Sequence, residues 1–528
     1  MRFKLIAAAL CVSLPLAVMA KPLTVCTEAS PDGFDVVQYN SLVTTNASAD
    51  VLFNGLVAYD EASHKVVPAL AEKWEISADG LTYTFHLRAN VQFQTTDYFK
   101  PSRTLNADDV LFTFNRMLDA NNPWHKVSSA GGFPHAQSLQ LPKLIKSIRQ
   151  TDPQTVVFQL SEPNSTFLPM LTMGFASIYS AEYAGKLLQS NQTADLNSKP
   201  IGTGPFQLHS YQRDSVIRYD VNPHYWGQRP KVDKLLFEIT PDSTVRAQKV
   251  KAGECDIALA PKPSDVLAAR DDGVLKILQT PAFMTAFVAI NTQHKPLDNV
   301  LVRRAINLAF DRSTYLKAVF SDTATPAVNP YPSNTWSYAK DIKPYPEDIA
   351  QAKKLLTEAG FPNGFDTTIW TRPTSSTLNP NPKTGAELLQ ADLAQIGIRA
   401  KIDTIEWGTL IRDAKQGQHD LLFMGWAGDN GDPDDFLTPQ FACASIQSGL
   451  NFARFCDPAL DHLIADAKAT PDLAKRAQDY EAAQKIIHDQ ALWLPLGYPT
   501  ATVLTRANVS GYQVSPFGRV NFGAVSLQ

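Results

Sequence analysis

The sequence holds only five cysteines in 528 residues, and they fit no zinc spacing, with no histidine at ligand distance beside them. It contains no Gly-x-Ser-x-Gly elbow, no His-Glu-x-x-His, no phosphate loop and no complete Gly-x-Gly-x-x-Gly. Gly202-Thr203-Gly204 lacks a third glycine and runs into Pro205, so it is not a nucleotide loop. These absences argue against the common hydrolase, metalloprotease and nucleotide-dependent chemistries. There is no repeat and no low-complexity tract, and the 36 prolines are spread along the chain as short connections would require. Beyond residue 20, no apolar run approaches the length of a membrane span.

The first twenty residues form the exception. Arg2 and Lys4 precede an apolar segment, residues 5–17, too short to span a bilayer, and Val18-Met19-Ala20 suits a cleavage site. A signal peptide over 1–20 and an exported mature chain of 508 residues (528 − 20) are expected. Cys11 does not make it a lipoprotein, because it lies inside the apolar segment and Leu10 precedes it where a small residue is wanted. Removing Arg2 and Lys4 leaves 46 basic residues against 52 acidic ones, a formal charge of −6 that disfavours nucleic acid. So long a chain predicts two or three domains.

Four cysteines remain: Cys26, Cys255, Cys443 and Cys456. An even number in an exported chain suggests two disulfides, with three pairings possible. Alternating or apolar runs predict strands at 82–87, 156–160, 235–239, 287–290 and 421–424. Helical periodicity covers 348–359 and 385–395, ended by Gly360 and Gly397, and 472–490. Strands alternating with helices indicate an α/β fold.

The richest segment chemically is Gly425-Trp426-Ala427-Gly428-Asp429-Asn430-Gly431-Asp432-Pro433-Asp434-Asp435-Phe436. Its glycines and proline predict a loop throughout. Such a loop can aim a carboxylate at a cation beside a tryptophan wall. Three other uses of the acids compete. Asp429 could organise its own turn, the acids could hold a structural calcium, or a pair of them could act as acid and base. The spacing does not follow the EF-hand pattern.

Taken in order, residues 68–85, 105–114, Pro200-Ile201-Gly202-Thr203-Gly204-Pro205-Phe206, Asn222-Pro223-His224-Tyr225-Trp226 and Val302-Arg303-Arg304-Ala305-Ile306 resemble the large peptide-binding proteins of ABC importers. The resemblance is collinear over the mature chain. Residues 91–99 and 122–125 look like the Sap-type group, and 428–434 like the dipeptide type. It implies a two-lobed periplasmic binding protein (type II, cluster C) with an additional small domain and a hinge between lobes. The implied division is domain I at 21–53, 204–281 and 500–528, a small domain II at 54–203, and domain III at 282–499. It implies no enzyme activity and no cofactor, a monomer in the periplasm, short peptides as ligands, and an inner-membrane ABC permease as partner. It implies the pairings Cys26–Cys255 and Cys443–Cys456.

The same resemblance assigns Asp429 to the ligand's α-ammonium, with Gly428 in its loop. Trp407 matches a pocket tryptophan, and 41–45, with Thr45, fall where the family lays backbone and hydroxyls along an extended ligand. Trp426, just before the loop, either walls the site or packs under it. In dipeptide-binding relatives an arginine that clamps the ligand carboxylate occupies the position of Ser376. Serine cannot supply that bidentate cation. Either Arg372 reaches the carboxylate, or the ligands are longer, modified or other than dipeptides. Haem is the alternative cargo; the ten histidines include no obvious axial pair, though one His or Tyr would suffice.

Overall fold

The computed structural model describes residues 22–127, 132–448 and 450–528; the expected leader lies outside them. Among these residues the organising element is a twelve-stranded mixed sheet. Its ten-strand path runs Arg399–Thr404, Asp366–Thr371, Leu421–Ala427, Met284–Ile290, Trp493–Thr505, Ile257–Ala258, Leu23–Thr27, Lys234–Ile239, Val216–Val221, Phe206–Gln212. The thirteen-residue strand Trp493–Thr505 stands in the middle and belongs to both halves. Its first part pairs antiparallel with Met284–Ile290, with Trp493 opposite Ala289. Its second part pairs with Lys276–Pro281, Thr500 opposite Pro281 and Thr505 opposite Lys276.

Two lobes follow from this arrangement. One hydrophobic core gathers residues from Leu23 to Leu259 and again from Val503 to Val525. Two others gather residues between Phe283 and Leu496, with Phe517 reaching into one of them. The chain passes between lobes at 281–284 and within the long strand at 499–500. The two crossings lie side by side, since the Ala282 N–H donates to the Pro499 carbonyl at 3.0 Å.

A second, antiparallel sheet orders Ala71–Ile76, Thr82–Leu87, Thr155–Leu160 and Ile145–Asp152, and it packs into the first lobe's core. The lobes also touch away from the crossings. Ser165 Oγ donates to the Ala467 and Lys468 carbonyls at 3.2 and 2.9 Å, at the end of the helix Pro458–Ala469. Tyr59 lies so close to Gly431 that a Cβ there would fall 2.5 Å from its Cε2.

Local sequence explains the elements. Thr82–Leu87 alternates buried with half-buried residues, as a strand with one covered face should. Six of the seven residues of Met284–Ile290 are buried, as expected of a strand covered on both faces. The helices Ile349–Glu358 and Leu473–Asp489 begin where Asp348 and Asp472 accept N–H bonds from their first turns. Both disulfides form as the resemblance implied, with Cα separations of 5.9 Å for Cys26–Cys255 and 4.7 Å for Cys443–Cys456.

One expectation needs correction. Residues 425–436 are not loop throughout: the strand Leu421–Ala427 runs through Gly425, and the helix Asp434–Phe441 starts right after Pro433. Gly425 sits in the strand because the Leu378 side chain occupies the space its Cβ would fill, 2.8 Å away. Pro433, at φ −55°, is already shaped for a helix start. Residues 41–45, for their part, form a helix start. Ser41 caps the helix Leu42–Leu52, and the Thr45 N–H is spent on the Ser41 carbonyl.

Candidate functional site

The strand Asp366–Thr371 runs parallel to both of its neighbours, Arg399–Thr404 and Leu421–Ala427. All three present their carboxyl ends at one edge. Arg372, Trp407 and Asp429 follow directly from those ends. In the first lobe Leu23–Thr27 is parallel to Lys234–Ile239 and Ile257–Ala258. Its carboxyl edge leads into Glu28 and residues 259–263. Ligands of open α/β sheets bind outside such edges, where strand order reverses.

Between the two lobes lies a cavity of about 660 Å³, within the usual range for a small-ligand site. Glu28, Leu42, Asn46 and residues 259–264 line it from the first lobe. Met284, Val319, Phe320 and Ser375-Ser376-Thr377 line it from the second, and Pro499 to Val503 of the long strand also contribute. Of the predicted site residues only Ser376 lines this cavity. Ser376 forms a tight turn with Asn379, whose N–H donates to the Ser376 carbonyl at 3.1 Å and to Oγ at 3.1 Å. Thr45 does not line the cavity; its Cγ2 faces Gly174 inside the first lobe, while its neighbours Leu42 and Asn46 do line it.

Arg372 and Trp407 meet. The guanidinium lies 4.5 Å from the indole ring centroid and also donates to Thr374 Oγ1 at 2.8 Å. Trp407 is 39% exposed and opens the helix Trp407–Lys415, whose first N–H groups, of Gly408 and Thr409, donate to the Glu406 carboxylate at 3.0 and 3.1 Å. Those bonds hold the Glu406 carboxyl below its usual range. Trp426 is half-buried, and its indole N–H donates to the Asp435 carbonyl at 2.7 Å, tying the strand end to the next helix. Gly428 is buried where Phe283 and Phe436 converge.

The four carboxylates of the loop have different fates. Asp432 is buried and takes both oxygens to Arg476 Nη2, at 2.7 and 2.9 Å. Arg476 also donates to the Ala467 carbonyl and to Tyr480 Oη. Asp434 is buried and accepts from Thr438 Oγ1; desolvation nevertheless raises its pKa. Asn430 and Asp432 make the turn bonds, to the N–H groups of Asp432 and Asp434. Asp429 makes none of them. Its carboxylate has no hydrogen bond or ion pair among the described residues, so the turn-organising role falls to its neighbours.

Asp429 has one close companion, which sequence reasoning missed. Its N–H donates to Asp435 Oδ2 at 2.5 Å, and Asp435 also lacks a cation. The Asp435 pKa is driven well up, first by desolvation and then by the Asp429 charge. Desolvation likewise raises Asp429. Asp429 itself is exposed, so its carboxylate is open to a ligand from solvent. Adjacent acids after Pro433 were the available hint to Asp435. Nothing in the sequence marked the first-lobe wall at 259–264.

Two α/β lobes joined by paired crossings, with parallel-strand edges facing a common cleft, define a hinged binding protein, not an enzyme scaffold. The chain belongs to the bacterial extracellular solute-binding proteins of family 5, whose middle-region model matches residues 65–448. It is 61% identical over 526 residues to the "Probable di/tripeptide-binding protein 5" of Pseudomonas aeruginosa (strain UCBPP-PA14), covering 100% of this chain and 99% of the relative. Among solved structures, HbpA2 from Haemophilus parasuis matches with TM-score 0.93 and 38% identity, over 96% of this chain and 100% of that one. A dipeptide-binding protein from Pseudoalteromonas sp. SM9913 in complex with Met-Leu matches with TM-score 0.77 and 34% identity, over 96% and 100%. The family is one of solute binders, and two of these relatives are named for peptide binding, which removes the acid–base enzyme reading.

Proposed function

We propose that this protein captures short peptides between its lobes in the periplasm and delivers them to an inner-membrane ABC permease, acting as a monomer. The observation that carries the reading is the unpartnered Asp429 carboxylate at the carboxyl edge of the second lobe, beside Asp435, which accepts the Asp429 N–H, feels the Asp429 charge and likewise has no cation among the described residues. Two crowded carboxylates are a poor resting arrangement and a good receptor for an ammonium, which neutralises them through charge-assisted hydrogen bonds. Relatives named for di- and tripeptides support the same ligand class. The lobes would close about a hinge at 282–283 and 499–500, with domain I at 21–53, 204–281 and 500–528, domain II at 54–203 and domain III at 282–499. Trp407 and Trp426 would flank the peptide, with Gly428 setting the height of the loop.

Calorimetry on the ligand-free mature protein tests this, using dipeptides and tripeptides with free and acetylated amino termini. Free peptides should bind, and acetylation should abolish binding, as should Asp429→Asn. Equal binding of acetylated peptides refutes the ammonium role. A shifted Soret band with haemin, and no heat from any peptide, replaces peptides by haem as the cargo.

A further inference from the structure

The reading above assigns the amino end of the ligand to Asp429, beyond the residues that line the 660 Å³ cavity, and leaves the carboxyl end unassigned. Ser376 stands on the second-lobe wall of the 660 Å³ cavity and offers one neutral hydroxyl. Arg372 does not line that cavity; it is held over Trp407 and on Thr374. Three charged residues do line it: Glu28, Lys262 and Arg519. Arg519 is committed, donating to both oxygens of Asp50 at 3.0 and 2.6 Å and to the Thr172 carbonyl at 2.9 Å. Glu28 has the wrong sign. Lys262 is exposed, and its ammonium makes no hydrogen bond or ion pair among the described residues.

The backbone beneath Lys262 is fixed while its side chain is free. The Lys262 N–H donates to Ser243 Oγ at 3.0 Å. Just before it, the buried Arg246 donates to the carbonyls of Leu259 and Ala260 at 3.0 and 2.8 Å, and to those of Thr240 and Pro241. Arg246 thereby ties down the ends of two parallel strands without using any carboxylate. The acid whose titration Lys262 affects, Asp242, is already occupied in capping the helix Ser243–Ala252.

We infer that Lys262 on the first lobe receives the carboxylate of the bound peptide, with the Ser376 hydroxyl on the second lobe as its neutral helper. This rests on the peptide-binding reading above. Ser376 Oγ accepts the Asn379 N–H, which leaves its own proton to donate. The carboxylate clamp then spans the cleft, with charge on one wall and hydroxyl on the other. A relocated cation of this kind keeps selectivity for a free carboxyl terminus despite the serine at 376. Lysine, as a flexible point charge, also imposes less geometry on the carboxylate than a guanidinium fork does.

The test is calorimetry of the mature chain with dialanine and trialanine, each as the free acid and as the C-terminal amide. Amidation should weaken binding to the unaltered protein by about tenfold to a hundredfold, the range of one charge-assisted hydrogen bond. Lys262→Met should bind the free acid as weakly as the amide, while leaving amide affinity within about twofold. Lys262→Arg should restore the preference. The inference is overturned if Lys262→Met still prefers the free acid, if Arg372→Met abolishes the preference instead, or if the unaltered protein does not discriminate. Failure of every peptide form to bind the unaltered protein would overturn the peptide reading itself.

Discussion

Asp429 and Asp432 lie three residues apart in one loop, yet neutralising the first and removing the partner of the second should have different consequences. Consider Arg476→Met. The Arg476 and Asp432 side chains are 3% and 2% exposed, so the substitution strands a buried carboxylate among Asp429, Asp434 and Asp435. Breaking such a pair costs about 3–5 kcal/mol. A second route gives the same size. A carboxylate that cannot stay charged takes a proton, at about 1.4 kcal/mol for each pH unit above the ordinary aspartate value of about 3.9. That is about 4 kcal/mol at pH 7 and about 1.5 kcal/mol at pH 5. The folded variant binds a proton that the unfolded chain releases, so its deficit grows as pH rises and shrinks as pH falls. Urea unfolding of parent and variant, ligand-free, at pH 5 and pH 7 measures both deficits. A deficit equal at the two pH values would mean that lost packing against Trp336 and Tyr480 dominates, and would refute the electrostatic account. Asp429→Asn, by contrast, should cost no stability, because Asp429 has no cation to lose.

Further expectations follow from other parts of the molecule. The raised Asp429 and Asp435 pKa values make the empty site less stable as pH climbs above 3.8, the unfolded-like value; because a bound ammonium cancels that penalty, the peptide-induced rise in melting temperature should grow between pH 5 and 7.5, and a pH-independent rise would contradict it. Replacing both Cys443 and Cys456 by serine removes a crosslink with a sequence separation of 13 and should cost about 3 kcal/mol on the chain-entropy model, read as a lower urea midpoint. Gly428→Ala would place a methyl 2.3 Å from Phe283 Cδ1 and 2.7 Å from Phe436 Cε2, so it should cost about 1–3 kcal/mol and weaken peptide binding; unchanged stability and affinity would show that this junction yields freely.

How far the chain explains itself depends on the range of the interaction. Asp348 and Asp472 start helices through bonds to residues two or three positions away, so local pattern locates those helices. Thr82–Leu87 reveals its buried face by simple alternation. The acidic run was recognisable as the chemical centre, but not the division of labour within it. Asp432 is withdrawn from the ligand by Arg476, 44 residues on, and only the folded chain brings the two together. Asp435 gains its role from contact with the Asp429 backbone across a helix start that glycine and proline content concealed. Ser41 was legible as a helix cap, since its side chain accepts the N–H of Thr44, three residues on. Lys262 acquires interest only when the first-lobe edge faces Ser376 across a common space.

The central position of Trp493–Thr505 also constrains how the molecule can be made. Neither half of the sheet is complete without this strand, which arrives after more than nine-tenths of the chain. Until then Met284–Ile290 has an unsatisfied edge toward one side, and Ile257–Ala258 toward the other. A polypeptide emerging amino end first would therefore remain loosely organised until its last few dozen residues appear, and both lobes would then consolidate together. Late consolidation of this kind is compatible with threading an extended chain through a narrow channel. It also makes a nonsense codon or proteolytic cut shortly before residue 493 as damaging to the first lobe as to the second.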